Sequence, residues 1–294
     1  IGIAIGGQTA KVAPADKKLY ALRDVTASVD CMGLIASSVM SKKLASGADA
    51  IVLDVKCGDG AFMQDEKDAN KLAKLMCDIG NADGKPTMAF ITDMDKPLGR
   101  AVGNSLEVIE AIETLKGKGP DDLTELSLSL AGAMIYKAGL AKSPAEGYEI
   151  ARDELVSGRA LDKLEELITA QGGEPEVIDD YGMLGEAKFK ADLVADETIT
   201  GYIAWIKART IGDISQKLGA GRAKKEDDID PNAGIYLHKT VGDEIKAGDV
   251  IATLYSSDEN KLKDGIEAIA DAYAISTEPV KPKALIKEII EEGL

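Results

Sequence analysis

Short apolar runs that alternate with helical patterns over residues 48–120 place the strongest constraint on the fold of this chain. Ile51-Val52-Leu53-Asp54-Val55 and residues 87–92 are short, apolar and rich in branched side chains, which is typical of buried strands in a parallel sheet. Residues 64–82 and 104–114 follow these runs and show helical patterns, the second of them opened by Asn104 as a cap. This alternation predicts an α/β layer built on a mainly parallel sheet with flanking helices.

The rest of the chain divides into segments of different character. The α/β domain is placed at residues 48–185, where further helices are predicted at 121–139, 143–157 and 159–171. Residues 1–14 are interpreted as a strand that leads into this domain, because an apolar run there ends at Gly6-Gly7. Residues 15–47 are interpreted as a helical segment that ends at Gly47.

Residues 186–294 are predicted to form a C-terminal α+β domain with a small barrel-sandwich-like core. Apolar and polar residues alternate over 188–202, and two Gly-Asp turns separate short apolar strands at 234–252. Helices are predicted at residues 204–218, 259–271 and 281–292. The pattern is similar to that of biotinyl and lipoyl carriers, but a lysine in a tight hairpin flanked by methionines is absent, which argues against a carrier.

The charge balance and the apolar runs restrict the class of protein. The formal net charge is −16, and no basic stripe is present to replace counterions on a phosphate backbone, so nucleic-acid binding is not expected. No apolar run approaches the length of a membrane span, and the first residues do not have the pattern of a signal peptide. A cytoplasmic protein without a membrane partner is the resulting prediction.

Cysteine and histidine are too few for the common sites that use them. The three cysteines, Cys31, Cys57 and Cys77, are widely spaced and odd in number, which favours free thiols in a reducing compartment. The only histidine is His238, which we interpret as a surface residue of a strand. A zinc site of His and Cys ligands is therefore not expected, and a Ser-His-Asp triad would depend on His238 alone.

Two helical pairs in residues 15–47 carry groups suited to a flat heterocycle with carbonyl oxygens. Ser38 and Lys42 are four residues apart, and Tyr20 and Arg23 are three apart, so each pair shares a helix face. An arginine fork, a hydroxyl and an ammonium together complement a ring with alternating carbonyl and N–H groups. The alternative is that Arg23 pairs with a neighbouring aspartate and Lys42 is a solvated surface lysine.

Several long motifs in this order resemble the pyrimidine-nucleoside phosphorylase and thymidine phosphorylase family. They are Tyr20-Ala21-Leu22-Arg23-Asp24-Val25-Thr26-Ala27, Asp54-Val55-Lys56-Cys57-Gly58-Asp59-Gly60-Ala61-Phe62-Met63 and Pro97-Leu98-Gly99-Arg100-Ala101-Val102-Gly103-Asn104. The resemblance extends over essentially the whole chain. It implies that Arg23, Ser38 and Lys42 bind the pyrimidine base. It also implies that Tyr20, Ile35 and Met63 line the pocket, and that residues 15–47 belong to an all-α lobe.

The activity implied by the resemblance is phosphorolysis of uridine or thymidine in nucleoside salvage, with phosphate as co-substrate and no organic cofactor. Phosphate displaces the base from C1 of the sugar, and Arg23 and Lys42 stabilise the negative charge that develops on the departing base. The resemblance also implies a potassium ion held at Leu98, Ala101 and Glu110, an oxygen-only ligand set suited to a hard cation. The sequence by itself favours a solvated Glu110 on a charged helix.

Asp59, Asp93 and Asp95 lie in turns at strand ends, where such residues are usually loop formers, so we do not predict a magnesium site there.

The family's Gly-rich phosphate motif does not occur in this sequence, so no phosphate-binding residue is assigned in this chain. We therefore expect a fragment with the base-binding half of the site, inactive alone and homodimeric when complete. The alternatives are an enzyme similar to phosphoribosyltransferases and a non-catalytic pyrimidine-binding protein.

Overall fold

The computed structural model describes residues 1–6, 12–24, 31–197, 200–222, 224 and 226–291, with the backbone alone for residues 20–24. The helices in this part of the chain are α1 (Pro14–Asp24), α2 (Met32–Ala45), α3 (Glu66–Ala82), α4 (Asn104–Leu115), α5 (Asp121–Lys137), α6 (Pro144–Val156), α7 (Arg159–Ala170), α8 (Ala208–Ser215) and α9 (Glu259–Ile269). The strands are β1 (Ile51–Cys57), β2 (Thr87–Asp93), β3 (Ala101–Val102), β4 (Phe189–Val194), β5 (Gly201–Ile206), β6 (Gly234–Leu237), β7 (Glu244–Ile245), β8 (Val250–Ser256), β9 (Tyr273–Ser276) and β10 (Ile286–Ile290).

The first sheet is mixed, so the prediction of a mainly parallel sheet is wrong. Its order is β1-β2-β10, with β1 parallel to β2 and β10 antiparallel to β2. Strand β10 lies in the segment for which a helix at 281–292 was predicted. Its isoleucines are β-branched and fit a pleated surface, and the open edge of β2 satisfies their backbone groups. Tertiary pairing therefore overrides a pattern that is ambiguous between helix and strand.

Strand β2 is buried throughout and β1 is buried at alternate residues, because helices pack against both faces of their sheet. Leu53, Val55 and Cys57 of β1 pack against helix α3 through its apolar side, which includes Leu72 and Met76. On the opposite face, Met88 and Phe90 of β2 pack against Ala133 of α5. Helix α3 begins at an Asp65 cap, whose side chain accepts a hydrogen bond from the Asp68 N–H group. This part of the chain forms the predicted α/β layer.

The strand predicted over residues 1–14 is wrong where the structure describes it. Residues 1–6 form no strand and are exposed, and helix α1 already begins at Pro14. The Ile5 N–H group donates to Gln171 Oε1 at 2.8 Å, and Gln171 Nε2 donates to the Ile5 carbonyl at 2.6 Å. A side-chain amide thus satisfies the Ile5 backbone groups that a neighbouring strand would otherwise have bonded.

The C-terminal region contains two antiparallel sheets, with strand orders β3-β6-β8-β4 and β7-β5-β9. Helices α8 and α9 pack with both sheets around one apolar core, in which Ile203, Ile211, Ile235 and Leu254 are fully buried. The helix predicted at 204–218 begins only at Ala208, because β5 occupies the preceding residues. The combination of helices with small sheets agrees with the predicted mixed α/β class.

Two strand pairings cross the predicted boundary at residue 186. Strand β3 pairs with β6 in the C-terminal region, while β10 completes the first sheet beside β2.

Asn104 is the first residue of α4 and does not act as its cap. Its side chain donates to the Ala220 carbonyl at 2.9 Å. Among the described helices, none combines the length and the hydropathy that a bilayer crossing requires.

Candidate functional site

Ser38 and Lys42 lie on one face of α2 and are bonded to each other. Lys42 Nζ is 3.0 Å from Ser38 Oγ and 2.9 Å from the Ser38 carbonyl oxygen. It also forms an ion pair with Asp16 Oδ2 of α1 at 2.7 Å. The alternative of a solvated lysine is therefore wrong, because all three donors of the ammonium have a protein partner.

The side chains of Tyr20 and Arg23 lie outside the part of the chain that the structure describes, so their predicted contacts stay predictions. Their backbone belongs to helix α1. Helix α1 is joined to α2 through the Asp16–Lys42 pair, and the Asp16 side chain is only 10% exposed. The helix that carries Arg23 is therefore bonded directly to the helix that carries Ser38 and Lys42.

A cavity of about 380 Å³ lies between α2, β1 and the residues that follow β1. Ile35 and Met63, both predicted as pocket residues, contribute to its wall. Val39 and Lys43 of α2 also face it, whereas Ser38 and Lys42 lie on the adjacent face of the same helix. The structure thus brings Ile35 and Met63 together at one cavity, whereas Ser38 and Lys42 are not among the residues that line it.

Asp54, Lys56 and Thr92 form a bonded polar cluster that the sequence analysis missed. Asp54 and Lys56 line the cavity, and Lys56 Nζ lies 2.6 Å from Asp54 Oδ2 and 3.1 Å from Thr92 Oγ1. The Thr92 hydroxyl donates to Asp54 Oδ1 at 2.5 Å. The signal was available, because residues two apart on a strand share a face and Lys56 pairs in register with Thr92.

Phe62 is a second lining residue that the sequence analysis did not assign. Its side chain is 71% exposed, and it precedes the predicted pocket residue Met63. An exposed aromatic side chain at the wall of a cavity offers a flat surface to a ring. The Gly58 N–H group donates to the Met63 carbonyl at 3.0 Å, which brings both ends of the loop together.

Asp59 and Asp95 form loop contacts, in agreement with their interpretation as loop residues, whereas Asp93 is the last residue of strand β2. Asp95 Oδ1 accepts from the Asp59 N–H group at 3.1 Å, and Lys287 lies 3.1 Å from Asp93 Oδ1. Burial acts to raise the pKa of Asp95, but hydrogen bonds from Lys283 and Asp59 lower it below its ordinary value. The described residues contain no group of three or more His, Cys, Asp or Glu arranged to hold a metal ion.

Glu110 of α4 is buried, so the expectation of a solvated surface carboxylate is wrong. Its Oε1 accepts from the Arg100 N–H group at 2.8 Å and the Ala101 N–H group at 3.1 Å. A Cβ on Gly99, which has a φ of +70°, would lie 2.3 Å from Glu110 Oε2. Burial raises the pKa of Glu110, although the two backbone N–H groups act to lower it. The carboxylate therefore lies directly against the segment that contains Leu98 and Ala101.

Comparison with known proteins gives consistent matches along the chain. The family model of the glycosyl transferase family, a/b domain, matches residues 1–161, and that of the pyrimidine nucleoside phosphorylase C-terminal domain matches residues 202–276. A pyrimidine-nucleoside phosphorylase of Geobacillus stearothermophilus is 49% identical over 288 residues, which are 98% of this chain. The pyrimidine-nucleoside phosphorylase of Bacillus subtilis is 48% identical over 99% of this chain. In both comparisons the match spans 66% of the relative's own length.

Proposed function

Because the chain belongs to the pyrimidine-nucleoside phosphorylase family, we propose that the protein catalyses phosphorolysis of pyrimidine nucleosides. The substrates are uridine, thymidine or both, together with phosphate, and the products are the free base and ribose or deoxyribose 1-phosphate. The observation that carries the proposal is the identity of 49% over 98% of this chain. The cavity lined by Ile35 and Met63 supports the proposal, because both residues are implied to line the pyrimidine pocket.

The base binds between apolar walls and polar donors. Ile35 and Met63 provide apolar surface at the cavity, and Phe62 offers an aromatic face beside them. Ser38 and Lys42, on the neighbouring face of α2, supply a hydroxyl and an ammonium for the carbonyl oxygens of the ring. Arg23 and Tyr20 complete the set from helix α1, as the family resemblance implies.

The reaction places negative charge on the departing base. A phosphate oxygen forms a bond to C1 of the sugar as the bond from C1 to the ring nitrogen breaks, and the electron pair of that bond stays on the base. Arg23 and Lys42 are the proposed catalytic residues, because cationic donors at the carbonyl oxygens stabilise this charge as it develops. No covalent intermediate with the enzyme is needed, and no residue of this chain is assigned to phosphate.

Lys42 has to exchange a partner before it can bond a base. Its three donors are directed to the Ser38 carbonyl, the Ser38 hydroxyl and Asp16. The Ser38 hydroxyl is the partner that is easiest to replace, because a base carbonyl can accept from the ammonium in its place. Asp16 would then keep the ammonium oriented during the exchange.

A potassium ion at Glu110 is a further part of the proposal. The ligands would be the Glu110 carboxylate and the backbone carbonyls of Leu98 and Ala101, which are oxygens, as a hard cation requires. The buried carboxylate fits this role, because burial raises its pKa and a nearby cation would lower it. A bound cation would stabilise the 98–101 segment where β3 begins.

We infer a cytoplasmic location, a homodimer in the complete protein and a division between an α/β domain and a C-terminal domain at residue 186. Their support is the family resemblance, together with the separate apolar cores of the two regions.

The direct test is phosphate-dependent release of uracil from uridine and of thymine from thymidine by the polypeptide that the gene encodes. We expect release of at least one base only when phosphate is present, with formation of the sugar 1-phosphate. Binding of uridine without turnover would favour a non-catalytic pyrimidine-binding protein. Formation of a nucleoside 5′-monophosphate and pyrophosphate from the free base and 5-phosphoribosyl pyrophosphate would favour a phosphoribosyltransferase.

A further inference from the structure

The loop of residues 58–63 is the part of the cavity wall that contacts helix α8 of the C-terminal region. It joins β1 to the turn before α3 and carries Phe62 and Met63 at its end. Its own backbone bonds are few: Gly58 to Met63, and Ala61 to the Gly58 carbonyl at 3.0 Å. Contacts from outside the loop must therefore contribute to its conformation.

Helix α8 depends on this loop for the bonding of its first turn. The helix begins at Ala208 without a side-chain cap from its own chain segment, so its first N–H groups need other acceptors. The Ala208 N–H group donates to the Asp95 carbonyl at 3.3 Å, and the Arg209 N–H group donates to Asp59 Oδ2 at 2.9 Å. Asp59 thus acts as a cap supplied from a distant part of the sequence.

The Arg209 side chain bonds the loop in return. Its Nε donates to the Asp59 carbonyl at 3.1 Å, and its Nη2 donates to the Ala61 carbonyl at 3.3 Å. The Ala61 carbonyl belongs to the planar peptide unit that ends at the nitrogen of Phe62. A hydrogen bond to this oxygen therefore fixes the direction in which the chain enters Phe62 and Met63.

The helix that carries Arg209 is itself well anchored. Ile211 and Ile214 of α8 are buried in the C-terminal core. An ideal Cβ on Gly60 would lie 2.9 Å from the Ala208 Cβ, so loop and helix are in close contact at this point. Arg209 consequently extends from a fixed position, and its planar fork of donors suits two carbonyls held close together.

We propose that Arg209 is a positioning residue for the pyrimidine pocket, through which the C-terminal region holds Phe62 and Met63 against the bound base. This inference rests on the proposed function, which supplies the ligand. Arg209 is not among the residues that line the cavity, so its effect is indirect. Its loss should weaken nucleoside binding and leave the chemical step largely intact.

The test compares Arg209→Ala and Arg209→Lys with the wild-type protein, in the polypeptide that the gene encodes. Uridine binding is measured by calorimetry without phosphate, kcat and KM by phosphorolysis, and loop opening by hydrogen exchange of peptides that contain residues 58–63. Arg152→Ala is the matched control, because Arg152 is exposed and pairs locally with Glu149 on α6. Thermal unfolding confirms that each variant is folded.

For Arg209→Ala we expect about a tenfold rise in the dissociation constant and the KM of uridine, with kcat changed by less than about twofold. Hydrogen exchange of the loop should accelerate. Arg209→Lys should recover part of the affinity, because an ammonium can bond one of the two carbonyls. Arg152→Ala should match the wild type in every measurement.

Two results would overturn the inference. Unchanged exchange of the loop in Arg209→Ala would show that the side chain does not hold it, whether or not the protein binds a nucleoside. Faster exchange with an unchanged uridine affinity would show that the loop does not shape the pocket. A wild-type protein that binds no pyrimidine would instead contradict the proposed function, and it would do so independently of the exchange result.

Discussion

Lys42 and Glu110 are both charged groups held inside the protein, but they are satisfied in opposite ways. Lys42 is 30% exposed and is bonded to side chains and a carbonyl of two helices, including the carboxylate of Asp16. Glu110 is only 8% exposed, and its carboxylate accepts hydrogen bonds from two backbone N–H groups. A half-exposed group with side-chain partners can exchange one of them for a ligand. A buried group held by the backbone suits an ion that stays in place.

The largest expected effect is on Lys42, because its charge is proposed to act at the transition state. Lys42→Ala should lower kcat/KM for phosphate-dependent base release by on the order of a hundredfold or more, the loss typical of one such donor. Arg23→Ala should show a loss of similar size. Lys71→Ala is the control, since Lys71 forms an exposed ion pair with Asp68 on α3. Near-normal turnover in both test variants would contradict the site assignment.

Asp16→Asn tests whether the side-chain partner of Lys42 matters for its function. The amide keeps the shape of the carboxylate but removes its charge, so the ammonium is less firmly oriented. We expect a loss of about tenfold in kcat/KM, the size of one charge-assisted hydrogen bond. Asp68→Asn, in the exposed pair on α3, should have no measurable effect. An unchanged rate for Asp16→Asn would mean that Lys42 needs no orienting partner.

Glu110→Gln tests the other half of the comparison. The amide oxygen can still accept from the Arg100 and Ala101 N–H groups, but the negative charge for a cation is lost. We expect the potassium concentration for half-maximal activity to rise about tenfold. Glu149→Gln, in the exposed pair with Arg152 on α6, is the control. A wild-type enzyme with the same rate in sodium and potassium would contradict the cation proposal.

The smallest expected effect concerns pH. The pKa of Glu110 is raised above its ordinary value of 4.5, so the folded protein binds this proton more tightly than the unfolded chain does. The titration of this carboxyl therefore lowers the free energy of unfolding as the pH rises from the ordinary pKa toward the raised pKa. In potassium-free buffer, Glu110→Gln should gain about 2 to 4 °C in Tm relative to wild type across this window. A constant difference in Tm would mean that the carboxyl does not titrate abnormally.

The sequence predicted best what depends on neighbours along the chain. The contact between Ser38 and Lys42 follows from their helical spacing. Strands β1 and β2 follow from short apolar runs, and helix α3 follows from the helical pattern between them. The burial of Glu110 could not be predicted in this way, because the Arg100 and Ala101 N–H groups reach it only through the turn at Gly99. Strand β10 was missed for the same reason, since only the open edge of β2 decides between helix and strand there.

The contacts of Arg209 show the same limit in a functional setting. Asp59 was correctly interpreted as a loop residue, but its partner lies 150 positions further along the chain. No local pattern indicates that a helix of the C-terminal region needs an acceptor from this loop. Such pairs become visible only when the two regions are placed together.

The position of β10 also has a consequence for the order in which the protein can be built. Strands β1 and β2 leave the ribosome early, but the partner that covers the outer edge of β2 is synthesised only after the whole C-terminal region. Until then, a strand that is buried throughout in the folded protein keeps an open row of N–H and carbonyl groups, which is a template for pairing between nascent chains. Expression at lower temperature, or with chaperones that shield exposed strands, should therefore raise the yield of folded protein.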